Sequence, residues 1–260
     1  MNIVVCVKQV PDTTAEKKLD KDLRLDRSSV ENILNPFDEY AVEESLRIKE
    51  NLGADVTVLC MGPEGATDAI RKALAMGADR GILVTDAALA GSDALATAFV
   101  LAEAVRKQSA NLVICGMEAT DSRTGQVPSA LAEFLGWPQL TWASKLEITG
   151  DKAVVHRQSD AGYDVVEASL PAVVSVTKAI NEPRYPSLKG IMMSKKKPVE
   201  TCSLGDLGIA ATDVGQAAAK TTVLSFVVPP ARGKGQVIAP KTPAEAAAAI
   251  ADYLQEHKLI

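Results

Sequence analysis

Between the apolar run Leu112–Cys115 and the helical pattern beginning at Val127 lie nine polar or small residues, Glu118-Ala-Thr-Asp-Ser-Arg-Thr-Gly-Gln126. A strand-to-helix turn needs only about two to six residues, so the extra length points to a loop that holds something. The residue types suit a phosphate. Ser122, Arg123 and Thr124 offer donors, and Gly125 permits close backbone approach. Thr124-Gly125-Gln126 then runs into a helix whose free N–H groups and dipole attract anions. Asp121 suits a ribose hydroxyl or an adenine amine. Lys8, at the end of the first apolar run, is placed to neutralise a phosphate in the same crevice. The plainer alternatives are a polar connection with a helix cap for the loop, and a solvated strand end for Lys8.

Other chemistries lack their residues. "CVKQVPD" after the first strand pattern contains no Gly, so a nicotinamide site of the GxGxxG kind is not expected. Gly-x-Ser-x-Gly is absent, and the two histidines, His156 and His257, lie far from the apolar runs that would form a site. The four cysteines, Cys6, Cys60, Cys115 and Cys202, form no CxxC pair, which argues against a disulfide framework or a zinc site. They read as small buried hydrophobes, with Cys6, Cys60 and Cys115 near the ends of apolar runs. No catalytic residue and no metal ligand is expected.

The elements that must position these residues alternate through the first half. Ile3–Val10, Val56–Met61, Ile82–Thr85 and Leu112–Cys115 are continuous apolar runs, as buried parallel strands are. Between them come helical patterns. One has Asn35 as cap, Pro36 at its first turn, the stripe Phe37, Ala41, Ile48 and Leu52, and Gly53 as stop. A second carries Ala66, Ile70, Ala73 and Leu74; a third carries Leu95, Ala98, Phe99, Ala102 and Val105. Such alternation predicts a doubly wound, mostly parallel α/β sheet of Rossmann-like, adenine-nucleotide-binding type. "LRLD" within the long segment 11–34 reads as a short edge strand or hairpin arm. "SKLEITGDKAVVHRQ" and "YDVVEASLPAVVSVT" read as antiparallel strands extending the sheet over about 140–178. The α/β domain is thus expected over 1–200, with a Pro-punctuated basic stretch near 181–198. A C-terminal arm, 201–260, ends in a helix with Ala246, Ile250, Tyr253 and Leu254 on one face.

Composition narrows the partners. The chain has 260 residues, 47% of them hydrophobic, which fits a folded globular protein. Only 4% are aromatic and the net charge is −5, so neither base stacking nor a phosphate backbone is expected to hold it. The strand pattern starting at "MNIVVCVKQV" and the lack of a long apolar stretch predict a soluble, cytoplasmic protein without membrane insertion.

Several segments, in order, carry a family resemblance: "CVKQVPD", "NPFDEYAVEESLRIKE", "IRKALAMGADRGI", "GWPQLTWAS", "VVHRQSDAGYDVVEASLPAVVSV" and "INEPRYPSLKGIMMSKKKPVE". In the fifth, Arg157, Asp160, Gly162, Glu167 and Leu170–Val174 fit a family signature. Over nearly its whole length the sequence resembles the beta subunit of electron transfer flavoprotein (ETF). The resemblance implies a heterodimer with an ETF alpha subunit that carries the redox-active FAD, the beta subunit serving as a platform that shapes part of the flavin site. The C-terminal arm would wrap that partner. The common form also binds AMP structurally, with contacts falling here on Cys6, on Asn35, Pro36, Phe37 and Asp38, on Met61, and on Met117, Glu118, Ala119, Thr120 and Asp121 through Val127. By residues alone, Asn35 is most simply a helix cap.

The resemblance also implies a recognition loop at about 181–198. Its Leu188 would plug into acyl-CoA dehydrogenases, with Ile191 and Met192 beside it. Arg184 and the run Lys195, Lys196 and Lys197 would steer acidic partners, although a charge run is ordinarily a solvated face. Electrons would leave toward ETF-quinone oxidoreductase or a similar acceptor. Electron-bifurcating members hold a second FAD in place of AMP and reduce it with NADH; their loop reads Ala-x-Asp-Gly-Asp-Thr-Ala-Gln-Val-Gly-Pro. Here it is Ala119-Thr-Asp121-Ser-Arg-Thr-Gly-Gln-Val-Pro128. Length and Gln126-Val127 favour that type. Ser122-Arg123, Gly125 and a missing Gly favour the AMP type, and Arg123 suits a terminal phosphate. A stand-alone adenine-nucleotide binder is the alternative of another class, and the apolar, coreless arm "TTVLSFVVPPARGKGQ" speaks against it.

Overall fold

The computed structural model describes residues 1–227, 229–230, 233 and 235–260. It contains a compact unit, Met1–Leu224, and a second unit, Ser225–Ile260. Of the arm singled out in the sequence, Val228, Ala231, Arg232 and Lys234 lie outside the described residues.

In the first unit the strands are β1 (Asn2–Val7), β2 (Gln9–Pro11), β3 (Asn32–Leu34), β4 (Asp55–Met61), β5 (Arg80–Val84), β6 (Leu112–Gly116), β7 (Gln139–Thr149), β8 (Lys152–Ser159), β9 (Gly162–Ser169), β10 (Ala172–Val176) and β11 (Val199–Cys202). The main helices are α1 (Pro36–Leu52), α2 (Thr67–Met76), α3 (Ala94–Arg106), α4 (Val127–Leu135) and α5 (Leu188–Ser194). Two single turns follow, α6 (Leu204–Leu207) and α7 (Gly215–Ala218). One nine-stranded sheet runs in the order β11-β5-β4-β1-β6-β10-β7-β8-β9. It is parallel from β11 to β7, with β8 and β9 added antiparallel.

The pleat divides the core. Ile3, Val5 and Val7 of β1 face α1 and α2, which contribute Ala41, Val42, Leu46, Ile70 and Leu74. Val4 and Cys6 face α3 and α4, with Ala98, Leu101, Val105 and Leu131. Each fully buried Ile, Leu or Val contributes about 1.5–3 kcal/mol of transfer free energy, so both faces are firmly held. Leu52 and Leu95, expected in the apolar stripes, are exposed; the helix faces are completed by Leu46 and Leu101 instead.

Four sequence expectations change. The run Ile3–Val10 breaks at Lys8: β1 ends at Val7, and β2 pairs antiparallel with β3 in a small separate sheet. "LRLD" forms only an isolated bridge, Leu25 to Leu19, because its alternation has no second strand to join. "YDVVEASLPAVVSVT" is two strands. Only β9 is antiparallel; β10 lies parallel between β6 and β7 and is buried along its whole length, as its unbroken apolar composition requires. Residues 201–224, assigned by sequence to the arm, pack in the first unit. There β11 lines up beside β5, and Leu204 and Leu207 join the core.

The second unit holds α8 (Pro243–Glu256), capped by Thr242, whose hydroxyl accepts from the Glu245 N–H at 3.2 Å. Ile250 and Tyr253 on its apolar face remain exposed. No helix among the described residues is long and apolar enough to cross a membrane.

Candidate functional site

The chain leaves β1 for β4 and β5 on one side and later returns to place β6 on the other. Connections therefore diverge beyond the carboxyl ends of β1 and β6, where Cys6 and Cys115 are register partners. Such a switch point opens a crevice in a doubly wound sheet. Gly116 ends β6 against the first turn of α1. A Cβ there would lie 2.5 Å from Asp38 Oδ1 and 2.8 Å from the Phe37 carbonyl carbon, so only glycine admits this approach.

Asp38 is consequently wedged under the crevice. The Lys8 N–H donates to its Oδ2 at 2.7 Å. Burial pushes its carboxyl up to about 7, against hydrogen bonds from Asn35, Lys8 and Gly116 and the Lys8 charge. Asn35 stands at the cap position of α1, but its side chain does not cap the helix. Its Nδ2 donates to the Glu118 carbonyl at 2.9 Å, and its Oδ1 accepts from the Thr120 N–H at 3.1 Å. The expected helix cap is instead a staple between α1 and the loop after β6, the helix start being supplied by Pro36.

The loop itself turns around Asp121. Lys8 Nζ donates to Asp121 Oδ1 at 2.9 Å, and Arg27 pairs with the same carboxylate, whose side chain has no exposure. Burial raises the Asp121 carboxyl, but the Lys8 and Arg27 cations outweigh it and hold it below the usual carboxylate range. Lys17 Nζ donates to the Thr120 carbonyl at 2.9 Å. Arg123 adopts φ +50° and Gly125 φ +62°, folding the chain back toward α4. At the start of α4, Gln126 supplies no capping bond and Pro128 has no N–H, so the first-turn donors left for an anion are the Val127 and Ser129 N–H groups. Thr120 Oγ1 is buried without a hydrogen-bond partner among the described residues. A buried hydroxyl left unpaired costs about 1–3 kcal/mol, and a ligand atom would relieve that.

Of the residues expected from sequence, Lys8, Asn35, Asp38 and the loop 117–127 are brought together here. Ser122, Arg123, Thr124 and Gln126 are exposed; Met117, Glu118, Ala119, Gly125 and Val127 are half-buried. Pro36 and Phe37 are half-buried in the first turn of α1, and Met61 ends β4 beside β1. Cys6 lines the face that carries Cys115, whereas Cys60 points to the opposite core cluster. The hydrogen bond with the Cys6 thiol, followed by burial, pushes the Cys115 thiol up, so Cys115 is not a nucleophile. No cluster of metal-ligating residues occurs among the described residues. Sequence reasoning missed Lys17, Arg27 and Gly116. The only signal was the unusual length of segment 11–34.

A second surface is built on α2. What the sequence reads as a recognition loop contains the short helix α5, with Ser187 Oγ accepting from the Gly190 N–H at 3.0 Å. Gly190 packs directly on the Ala75 carbonyl oxygen, which a Cβ would overlap. Leu188 is 83% and Met192 72% exposed, so the apolar side chains project outward; Ile191 is partly exposed beside them. Lys195 and Lys196 are exposed. Lys197 and Arg184, expected as steering charges, are committed elsewhere. Lys197 Nζ donates to the Leu74 and Ala78 carbonyls at 3.0 and 2.5 Å, capping α2. Arg184 is held by Glu43 and Glu50 of α1, with Nε 2.8 Å from Glu43 Oε2.

Residues 22–207, which include α5 and the loop 117–127 but not Lys8 or Lys17, match the electron transfer flavoprotein domain. The chain is 46% identical over 266 aligned positions to the electron transfer flavoprotein subunit beta of Mycobacterium bovis, covering all of this chain and 99% of the relative. This chain belongs to the electron transfer flavoprotein beta-subunit family. Another family member, from Clostridium acetobutylicum, is 40% identical with both chains fully covered. The same holds for a subunit of a caffeyl-CoA reductase–Etf complex from Acetobacterium woodii, also 40% identical over both whole chains. The electron transfer flavoprotein domain match begins inside the segment that carries Arg27 and ends beyond α5, so the loop 117–127 and the apolar helix lie within it, whereas β1 and Lys8 precede it.

Proposed function

We propose that this chain is the non-catalytic half of an electron shuttle. It pairs with an ETF alpha subunit that holds the redox-active FAD and binds AMP structurally in the β1–β6 crevice. Electrons come from acyl-CoA-type dehydrogenases and leave toward ETF-quinone oxidoreductase or a related acceptor. The observation that carries the reading is the crevice: Lys8 pairs with Asp121 on the loop that runs into the uncapped start of α4, and the same loop carries the unpartnered Thr120 hydroxyl. Those groups fit a nucleotide phosphate. Asn35 and Asp121 hold the loop in the shape that presents them. When bound to the partner, the flavin supplies one- and two-electron chemistry. This chain's residues position it and present the docking helix. Leu188 and Met192 on α5 provide a small apolar anchor, which suits the weak, fast association that a carrier requires.

A second reading, an NADH-dependent bifurcating protein with FAD in the crevice, is favoured by the Gln126-Val127 pair and by the loop's length. Anaerobic spectroscopy of the purified heterodimer separates the two. The account expects the flavin to be bleached by acyl-CoA plus its dehydrogenase and not by NADH alone. Direct bleaching by NADH would overturn it.

A further inference from the structure

We propose that Lys17 and Arg27, carried on the excursion between β2 and β3, form the outer wall of the nucleotide crevice and bind the phosphate together with Lys8, so that residues 12–31 become a strap fastened by the nucleotide. The inference rests on the adenine-nucleotide reading of the crevice and adds to it two binding residues and a moving part.

Two tethers of opposite chain origin meet at one dipeptide. Lys17 Nζ reaches the Thr120 carbonyl at 2.9 Å, and Arg27 pairs with the Asp121 carboxylate. Lys8 arrives at the same carboxylate from below. The loop 117–126 is thereby gripped from the sheet side by Lys8 and Asn35, and from the solvent side by the excursion. Within the excursion, most hydrogen bonds are short-range turns: Asp12 with Thr14, Asp20 with Asp22 and Arg24, and Asp26 with Ser28. Nearly all of residues 12–31 are exposed or half-buried. A segment that buries so little apolar surface draws its order from such tethers.

Cations cluster at the grip, although the excursion itself also carries Asp12, Glu16, Asp20, Asp22, Asp26 and Glu31. Lys8, Lys17, Arg27 and Arg123 face or flank a loop whose own carboxylates are Glu118 and Asp121. Asp121 is already shared by Lys8 and Arg27. An ammonium has three donors, and Lys17 Nζ uses one of them, on the Thr120 carbonyl. Clustered cations, idle Lys17 donors, the buried unpartnered Thr120 hydroxyl and the open turn of α4 lie on or against one loop. A phosphate is the ligand chemistry that meets all four. The Arg27 guanidinium, now shared with Asp121, and the Lys17 ammonium, now on a carbonyl only, would then gain a phosphate as a further partner, and binding would order the segment.

The test uses the full-length protein purified with its partner subunit and freed of bound nucleotide, with AMP as the probe. AMP affinity is measured for the unaltered protein, for the double variant Lys17→Gln/Arg27→Gln, and for Arg24→Gln, which loosens the same excursion from Gln216 outside the crevice. Trypsin cleavage after Lys18 and Lys21 is followed with and without AMP. The double variant is expected to bind AMP at least tenfold more weakly. Arg24→Gln should stay within twofold of the unaltered protein. AMP should slow cleavage in the unaltered protein at least fivefold, and in the double variant not at all. Three results overturn the strap alone: a double variant within twofold of the unaltered affinity, cleavage indifferent to AMP, or an Arg24→Gln loss as large as that of the double variant. No AMP binding by the unaltered protein would overturn the nucleotide reading, and the strap with it.

Discussion

At the scale of single residues, Asp38 is the group whose chemistry is most altered by its surroundings. Burial raises its carboxyl to about 7 from the ordinary 3.8. The native state therefore holds this proton more tightly than the unfolded chain does. The resulting stabilisation is complete below about pH 4 and is lost as pH rises through 7. Asp121 acts oppositely, its lowered carboxyl adding stability that disappears as pH falls. Comparison with Asp38→Asn isolates the first effect. Urea midpoints measured from pH 5 to 8 should show the unaltered protein losing stability relative to the variant as pH rises. A parallel pair of curves would remove Asp38 from the account. Part of this site was readable in sequence, because Lys8 interrupts an apolar run and the loop 117–126 is too long and polar for a plain connection. Arg27 and Lys17 were not, since 94 and 103 residues separate them from Asp121 and Thr120 and leave no local pattern.

At the scale of elements, α5 shows how a short helix is made rigid. It has seven residues, too few for stability from its own hydrogen bonds. Arg71 Nη1 donates to the Ser194 and Lys197 carbonyls at 2.6 and 2.7 Å, and Lys197 returns two bonds to the end of α2. Gly190 lets the backbones touch. Two substitutions should separate anchor from mount. Leu188→Ala removes an exposed side chain, so the urea midpoint should hold while KM for the dehydrogenase rises about tenfold, or about 1.4 kcal/mol. Gly190→Ala forces α5 off Ala75, so KM should rise and the midpoint should also fall. An unchanged KM in Leu188→Ala would deny the helix its docking role. Helices α1 to α4 and strands β1, β4, β5 and β6 were legible from periodicity and from stops such as Gly53. The placement of β10 was not: its neighbours β6 and β7 are chosen by topology, and an apolar run does not name its partners.

At the scale of the molecule, a net charge of −5 still leaves Lys8, Lys17 and Arg27 meeting at one loop. Overall charge argues against a nucleic-acid backbone as partner but says nothing about where a single phosphate would sit. The sheet resolves this by carrying Lys8 and the loop 117–126 to one end and leaving α5 on the α2 surface. The central claim is that the crevice holds one adenosine monophosphate while the flavin belongs to the partner. Co-purification with the alpha subunit, acid release and chromatographic quantification of FAD and AMP test it most directly. The account predicts one FAD and one AMP per heterodimer. Two FAD and no AMP would contradict it, placing a second flavin against Asp121 and Arg123.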